Sequence, residues 1–235
     1  DAPDVDGRVY FKSAKRVRPG DFVEVKINEA LEQYLPQSDD IVSEAMKYSV
    51  RNGGKRIRPM LTLEFCKACG AEPEKALPFA CAVEMIHTYS LIHDDLPCMD
   101  NDDFRRGNPT SHKVYGEAMA ILAGDALLTA AFYQLSCAPY DAQTRIRAVE
   151  IIAQCAGELG MVGGQVLDIQ SEERVCTEQE VLDIQSRKTG ALIRAACALG
   201  VLAGEGTPKQ LDAAVAFASN LGLAFQIRDD MLDVI

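Results

Sequence analysis

Eight aspartates in two short stretches are the residues of this chain best suited to chemistry. The first stretch, Glu84 to Arg106, starts as an apolar run, delivers Asp94, Asp95, Asp100, Asp102 and Asp103, and closes on Arg105 and Arg106. The second, LGLAFQIRDDMLDV, carries Asp229, Asp230 and Asp233. On a helix Asp229 and Asp233 are four residues apart and share one face, with Asp230 beside them. Burying a carboxylate costs on the order of several kcal/mol unless a cation pairs with it. Two such clusters point to one metal-filled site. Mg²⁺ suits them, because it takes hard oxygen ligands, keeps several waters, and is typically held by one or two carboxylates together with substrate phosphates. A solvated acidic helix end is the plain alternative for either cluster taken alone; the apolar surroundings and the second cluster weigh against it. An EF-hand starting at Asp100 fails, since Arg105 falls where that loop needs Gly and Ser111 where it needs Glu.

The cations are grouped as well. Arg105 and Arg106 offer planar forks of donors suited to phosphate, and two together suit two phosphate groups or one diphosphate held twice. Arg51, Lys55, Arg56 and Arg58 crowd into RNGGKRIRP, whose glycines permit close backbone approach but which lacks the spacing of a P-loop. In an acidic protein an anionic ligand explains that concentration better than an ordinary basic helix start does. Lys188 and Thr189 lie in a short polar break, SRKTGAL. His87 alone would read as a core histidine; about two turns before Asp94, it can instead point into the same cavity.

These groups must be positioned by helices. Ala, Leu and Ile recur, Trp is absent, and the chain is 48% hydrophobic over 235 residues, enough for a sizeable core. With 24 basic and 35 acidic residues the formal charge is −11, which argues against general nucleic-acid binding and against an anionic membrane surface. Residues 1–20 read as a polar tail, and 21–235 as one all-α domain. Apolar spacing gives a first helix from Asp21 to Pro36, a second capped by Ser38 or Asp39 and ending at Asn52-Gly53-Gly54, and a third starting near Pro59. A long helix follows Pro78 to Asp94, with Pro97 as its stop. Tyr115–Ser136 is nearly all apolar and is expected to be buried on most sides, with Asp125 an isolated acid inside it. Further helices are expected over about 141–160, 177–204 and 208–235, with Gly163-Gly164 marking a close packing point or bend. No alternating strand stands out, and no segment approaches the roughly 20 apolar residues of a membrane span. The result is a bundle of about ten helices around a central cavity. The eight cysteines mostly sit in apolar helical patterns, and the lone CxxC at Cys66 and Cys69 has no second pair, so reduced cytoplasmic thiols are the simplest reading.

Taken together, GGKRIRP, DDLPCMD with its following RR, GGQVLD, KTG and FQIRDDMLD resemble the motifs of the trans-isoprenyl diphosphate synthases, in that family's order from Gly53 to Asp233. The two-residue insertion in the first Asp-rich motif is similar to the short-chain bacterial and plant-type branch. The resemblance implies that Asp94, Asp95, Asp100, Asp229, Asp230 and Asp233 hold three Mg²⁺, with Mn²⁺ as a substitute. It implies that Arg105, Lys188, Thr189 and Gln226 contact an allylic diphosphate, and that Lys55, Arg58, His87 and Arg106 hold isopentenyl diphosphate. It further implies a homodimer. The family normally continues with further helices and a basic segment, so the resemblance implies C-terminal helices that this sequence, ending at Ile235, lacks. Product length would be set below Asp94. Tyr89 lies five residues earlier, about 7.5 Å along a helix axis, and an aromatic there usually accompanies a C15 product in the family. If Tyr89 merely packs between helices, Met85 or a neighbouring helix sets the length and a C20 product becomes the rival. A non-catalytic subunit of a heteromeric synthase would typically lack an Asp-rich motif, and a terpene cyclase would not need Lys55, Arg58 and His87.

Overall fold

The computed structural model describes residues 19–172 and 174–232, and side chains between residues 26 and 224. Its helices are α1 (Pro19–Tyr34), α2 (Ile41–Arg51), α3 (Ile57–Ala68), α4 (Leu77–Asp94), α5 (Ser111–Tyr115), α6 (Glu117–Cys137), α7 (Ala142–Ala156), α8 (Met161–Ser171), α9 (Glu178–Gln185), α10 (Ala191–Ala203) and α11 (Pro208–Leu232). The expected tail lies outside the described residues, except that Pro19 and Gly20 open α1. The all-α expectation holds apart from one short hairpin, β1 (Phe104–Arg105) paired antiparallel with β2 (Asn108–Pro109). Strands of two residues are too short to alternate visibly in a sequence.

The core forms around α4. Its residues Phe79–Ile86 are buried all round, a composition that only a central helix can satisfy. Helices α1, α2, α3, α6, α7 and α10 pack against it. Local chemistry sets the ends of the surrounding helices. Asp40, rather than Ser38 or Asp39, caps α2, its Oδ1 accepting from the backbone N–H of Val42 at 3.0 Å and Ser43 at 2.9 Å. Thr177 and Glu180 form a capping box at the start of α9. Helix α10 is apolar and buried on nearly every side and packs against α3, α7 and α11. A π-helical turn, Ser186–Gly190, joins α9 to α10.

Helix α6 departs from expectation in two ways. It packs on α2, α4, α5 and α7, yet Ile121, Leu122 and Tyr133 are exposed, Tyr133 by 70%. Burial on most sides therefore does not hold for α6, because apolar composition does not dictate how many neighbours surround a helix. It is also, by length and composition, long and apolar enough to cross a membrane, contrary to the expectation that no segment would be. One helix of this kind is weak grounds for a span, since core helices of soluble proteins pass the same test. Asp125 within it is exposed, 3.9 Å from His93 Nε2, and takes neither a core nor a buried catalytic position. Cys137, which ends the apolar pattern of α6, is exposed.

Candidate functional site

Helix α4 runs its buried face straight into the first acidic cluster. Asp94 is its last residue and Asp95 its C-cap. The backbone N–H of Asp100 donates to the Asp94 carbonyl at 2.9 Å, folding the Leu96–Met99 segment back so that Asp100 returns to the helix end. Asp95 is buried, and Arg105 Nε donates to its Oδ1 at 2.6 Å. Burial pushes the Asp95 carboxyl up, and Arg105 opposes the shift. Burial raises Asp94 to about 6, reinforced by Asp100 and Asp95 and opposed by Lys188 and Arg105. The C-terminal end of a helix carries partial negative charge and adds to the penalty.

Arg105 and Arg106 are sent in different directions by the hairpin. Arg106 and Gly107 form its two-residue turn with φ of 54° and 79°, the left-handed pair that a tight type I′ connection requires. Arg105 thereby faces Asp95, while Arg106 donates from Nη1 to the Gly53 carbonyl. The Arg106 guanidinium lies where a side chain at residue 54 would go, and the φ of 132° at Gly54 is one that glycine adopts and side-chain-bearing residues rarely do. The base of the hairpin is tied down by Thr110 Oγ1 donating to the Asp102 carbonyl at 2.8 Å, by Tyr48 Oη donating to the Pro109 carbonyl at 2.7 Å, and by Lys113 paired with Asp103 at 2.6 Å.

Beyond Gly54 the basic stretch sorts into two kinds. Arg51 pairs with Glu32 at 2.6 Å on the surface, whereas Arg56 is buried against Glu84 at 2.6 Å and is closed to a ligand. Lys55 is exposed. Arg58 reaches His87, Nη1 to Nε2 at 3.3 Å, and its buried Nε has no partner among the described residues. Since an arginine can only donate, His87 Nε2 accepts and its proton sits on Nδ1. Burial holds the His87 pKa well below its ordinary value, and the charges of Arg58, Arg106, Arg56 and Arg105 deepen the effect. Burial likewise lowers Arg58 and Arg106, with Glu84 opposing both shifts. Three arginines crowd around Glu84 here, with Asp95 reaching Arg106 alone, and that surplus of positive charge calls for an anion.

A polyprenyl synthetase family model matches residues 39–235. The chain belongs to the polyprenyl synthetase family. It is 48% identical over 213 residues to the farnesyl diphosphate synthase of Geobacillus stearothermophilus, an alignment covering 88% of this chain and 72% of that one. It is 46% identical to the chloroplastic geranylgeranyl pyrophosphate synthase of Capsicum annuum, over 89% of this chain and 58% of the relative. A crystal structure of an FPP/GFPP synthase from Zymomonas mobilis superposes with a TM-score of 0.87 at 39% identity, covering 92% of this chain and 80% of that one. A TRAM domain model also matches residues 1–35; within that span Ile27, Ala30 and Leu31 of α1 are buried in the helical core. The protein is thus an enzyme, a short-chain trans-prenyltransferase.

In this polyprenyl synthetase the donors present fit a divalent cation. Asp94 carries a carboxylate whose charge is penalised by burial and by its neighbours, and Asp100, exposed beside it, adds a second hard oxygen donor. Asp95 is already held by Arg105, so it would have to share its oxygens. Asp229 and Asp230 lie in α11 as expected, while their side chains, that of Gln226 and the whole of Asp233 lie outside the described residues. Among the described residues no three acidic, His or Cys side chains form a preassembled metal cluster.

The π-helical turn presents Lys188, whose Nζ donates to Asp168 Oδ2 at 2.5 Å, and its charge reaches Asp94. Thr189 follows in the same turn. The turn packs on α8 at Gly164, where a Cβ would fall 2.7 Å from Lys188 Cα, confirming the close packing point at the glycine pair. Sequence reasoning gave no role to Asp168, Glu84, Tyr48 or Thr110. Glu84 had a legible signal, a lone acid in LPFACAVEMIH that must find a buried cation. Tyr48 and Thr110 act through backbone carbonyls and carry no such signal.

Proposed function

We propose that this enzyme condenses isopentenyl diphosphate with dimethylallyl and then geranyl diphosphate, releasing farnesyl diphosphate (C15). The observation that carries the reading is Tyr89. Its ring is 7% exposed, meets the His93 ring edge-on at 5.7 Å, and belongs to the core directly beneath the acidic cluster. Burial raises its hydroxyl pKa, and the charge of Asp94 raises it further, so the ring lies within electrostatic reach of the carboxylate. A bulky ring in that position supports a floor for a short prenyl tail. Chromatography of radiolabelled products tests it: Tyr89→Ala should lengthen the product beyond C15, and unchanged product length would remove Tyr89 from the account.

In this reading Asp94, Asp95 and Asp100, with Asp229, Asp230 and Asp233, hold three Mg²⁺, and Mn²⁺ can replace them. The bound ions supply stabilisation of the charge that grows on the leaving diphosphate. Arg105, Lys188, Thr189 and Gln226 orient that diphosphate and donate hydrogen bonds as the allylic C–O bond ionises. Lys55, Arg58, His87 and Arg106 hold isopentenyl diphosphate so that its double bond meets the allylic carbon, and the free Arg58 Nε supports an anion there. The apolar faces of α4 and α6 keep water from the cation. The proton is lost to the released diphosphate, so no side chain is needed as base. A C20 product is the second reading, favoured by the geranylgeranyl pyrophosphate synthases that match at comparable identity. The intact first Asp-rich segment supports a catalytic subunit rather than a silent one. A homodimer is proposed to cover Ile121, Leu122 and Tyr133 on α6, and eight unpaired cysteines support a cytoplasmic setting.

A further inference from the structure

The basic strap between α2 and α3 contains a backbone conformation that its sequence does not favour. Gly53 and Gly54 have φ of 79° and 132°, which glycine tolerates, but Arg56 also sits in the left-handed region, at φ 47° and ψ 32°. An L-residue reaches that region only at a steric cost, and keeps it only where its surroundings over-determine it. Three elements do so here. Arg56 Nε donates to Asn28 Oδ1 of α1 at 3.0 Å, Nη2 to the Val50 carbonyl of α2 at 2.6 Å, and Nη1 to Glu84 Oε1 of α4 at 2.6 Å. Arg56 and Glu84 are 4% and 2% exposed, so the clamp is closed to ligand and solvent. The Arg56 carbonyl then accepts from Met60 N at 2.9 Å, which starts α3 and fixes its first turn, including Arg58.

We infer that Arg56 is a positioning residue for the diphosphate-binding strap: its guanidinium, clamped by Asn28, Val50 and Glu84, holds residue 56 in the left-handed turn that directs Lys55 and Arg58 to the anion site. The inference rests on the assignment of Lys55 and Arg58 to isopentenyl diphosphate. Glu84 serves the strap twice, as the anchor of Arg56 and as a buried carboxylate that offsets the positive charge around Arg58 and Arg106. A purely structural salt bridge would have no reason to impose an unfavourable φ on the residue between two ligand-facing cations.

The test separates the turn from the tether. Glu84→Gln alone is the reference, since glutamine still accepts from Arg56 and leaves no unpaired carboxylate when Arg56 is removed. Arg56→Ala and Arg56→Gly are then made in that background. Glycine adopts the left-handed turn freely and alanine does not. Arg56→Ala should raise KM for isopentenyl diphosphate by about tenfold over the reference. It should leave kcat and KM for the allylic diphosphate within about threefold. Arg56→Gly should recover most of the loss. Equal rises in the Ala and Gly variants, or kcat and both KM values moving together, would overturn the proposal. Should the wild-type chain catalyse no condensation, the proposed function fails while the inference is still decided. Inorganic pyrophosphate binding, measured calorimetrically in EDTA, should then be about tenfold weaker for Ala than for Gly, and equal affinities would refute it.

Discussion

Replacing Asp94 with asparagine should stabilise the metal-free protein while removing most of its activity. Burial, with Asp100 and Asp95 adding to it, raises this carboxyl from 3.8 to about 6 despite Lys188 and Arg105. At roughly 1.4 kcal/mol per pKa unit, its charged form is disfavoured by about 3 kcal/mol in the folded chain. The side chain is only partly buried, and solvent screening reduces this to ~1–2 kcal/mol. Because the folded pKa lies above the unfolded one, the penalty is absent below about pH 4, grows as pH rises, and is complete above about pH 6. Asparagine keeps the shape and drops the charge. In EDTA near neutral pH the variant should melt ~2–8 °C above the wild type. The gain should vanish at about pH 4. With Mg²⁺ present its kcat should fall by about 10²–10⁴. Calorimetry across pH, paired with a condensation assay, reads both effects. A variant that melts no higher at neutral pH would refute the electrostatic reasoning, and near-normal turnover would remove Asp94 from the metal ligands.

Two further outcomes are expected. Chelation should abolish condensation, with Mg²⁺ restoring it and Mn²⁺ substituting; turnover that persists in excess EDTA would sink the carboxylate assignment. Gly164→Ala should cost about 1–3 kcal/mol, because its Cβ meets the backbone of Lys188 and Arg187, and it should lower kcat by displacing Lys188. Unchanged melting in that variant would show that α8 can move aside.

How far the sequence could be read depended on the range of the contacts involved. Helix α4 was legible because Pro78, the apolar run and Pro97 are local signals that its packing does not contradict. The first acidic cluster was legible for the same reason. The basic stretch was not sortable: Arg51 and Arg56 pair with Glu32 and Glu84, 19 and 28 residues away, and a list of cations does not reveal which have found partners. The type and place of Arg105 suit a ligand donor, and the fold gives it a prior engagement with Asp95. The composition of α6 points to enclosure, yet Ile121, Leu122 and Tyr133 are exposed, because enclosure is a property of neighbours and not of composition. The hairpin at Phe104–Pro109 escaped notice because its turn uses Arg106 at positive φ, where Asn or Gly would have announced it.

The π-helical turn at Ser186–Gly190 has a consequence for the rod that α9 and α10 make together. A wide turn holds one residue more than an ordinary α-turn, so it resets the rotational phase between the two segments by about 100° without interrupting the chain's course. The two segments can therefore obey different demands: α10 meets the core on nearly every side, while α9 buries Ile184 alone. Without that one residue the rod would be regular, and Ile184 would turn to a different side of it. Lys188 rides at the seam, where the winding is least regular and its angle can be set apart from both segments.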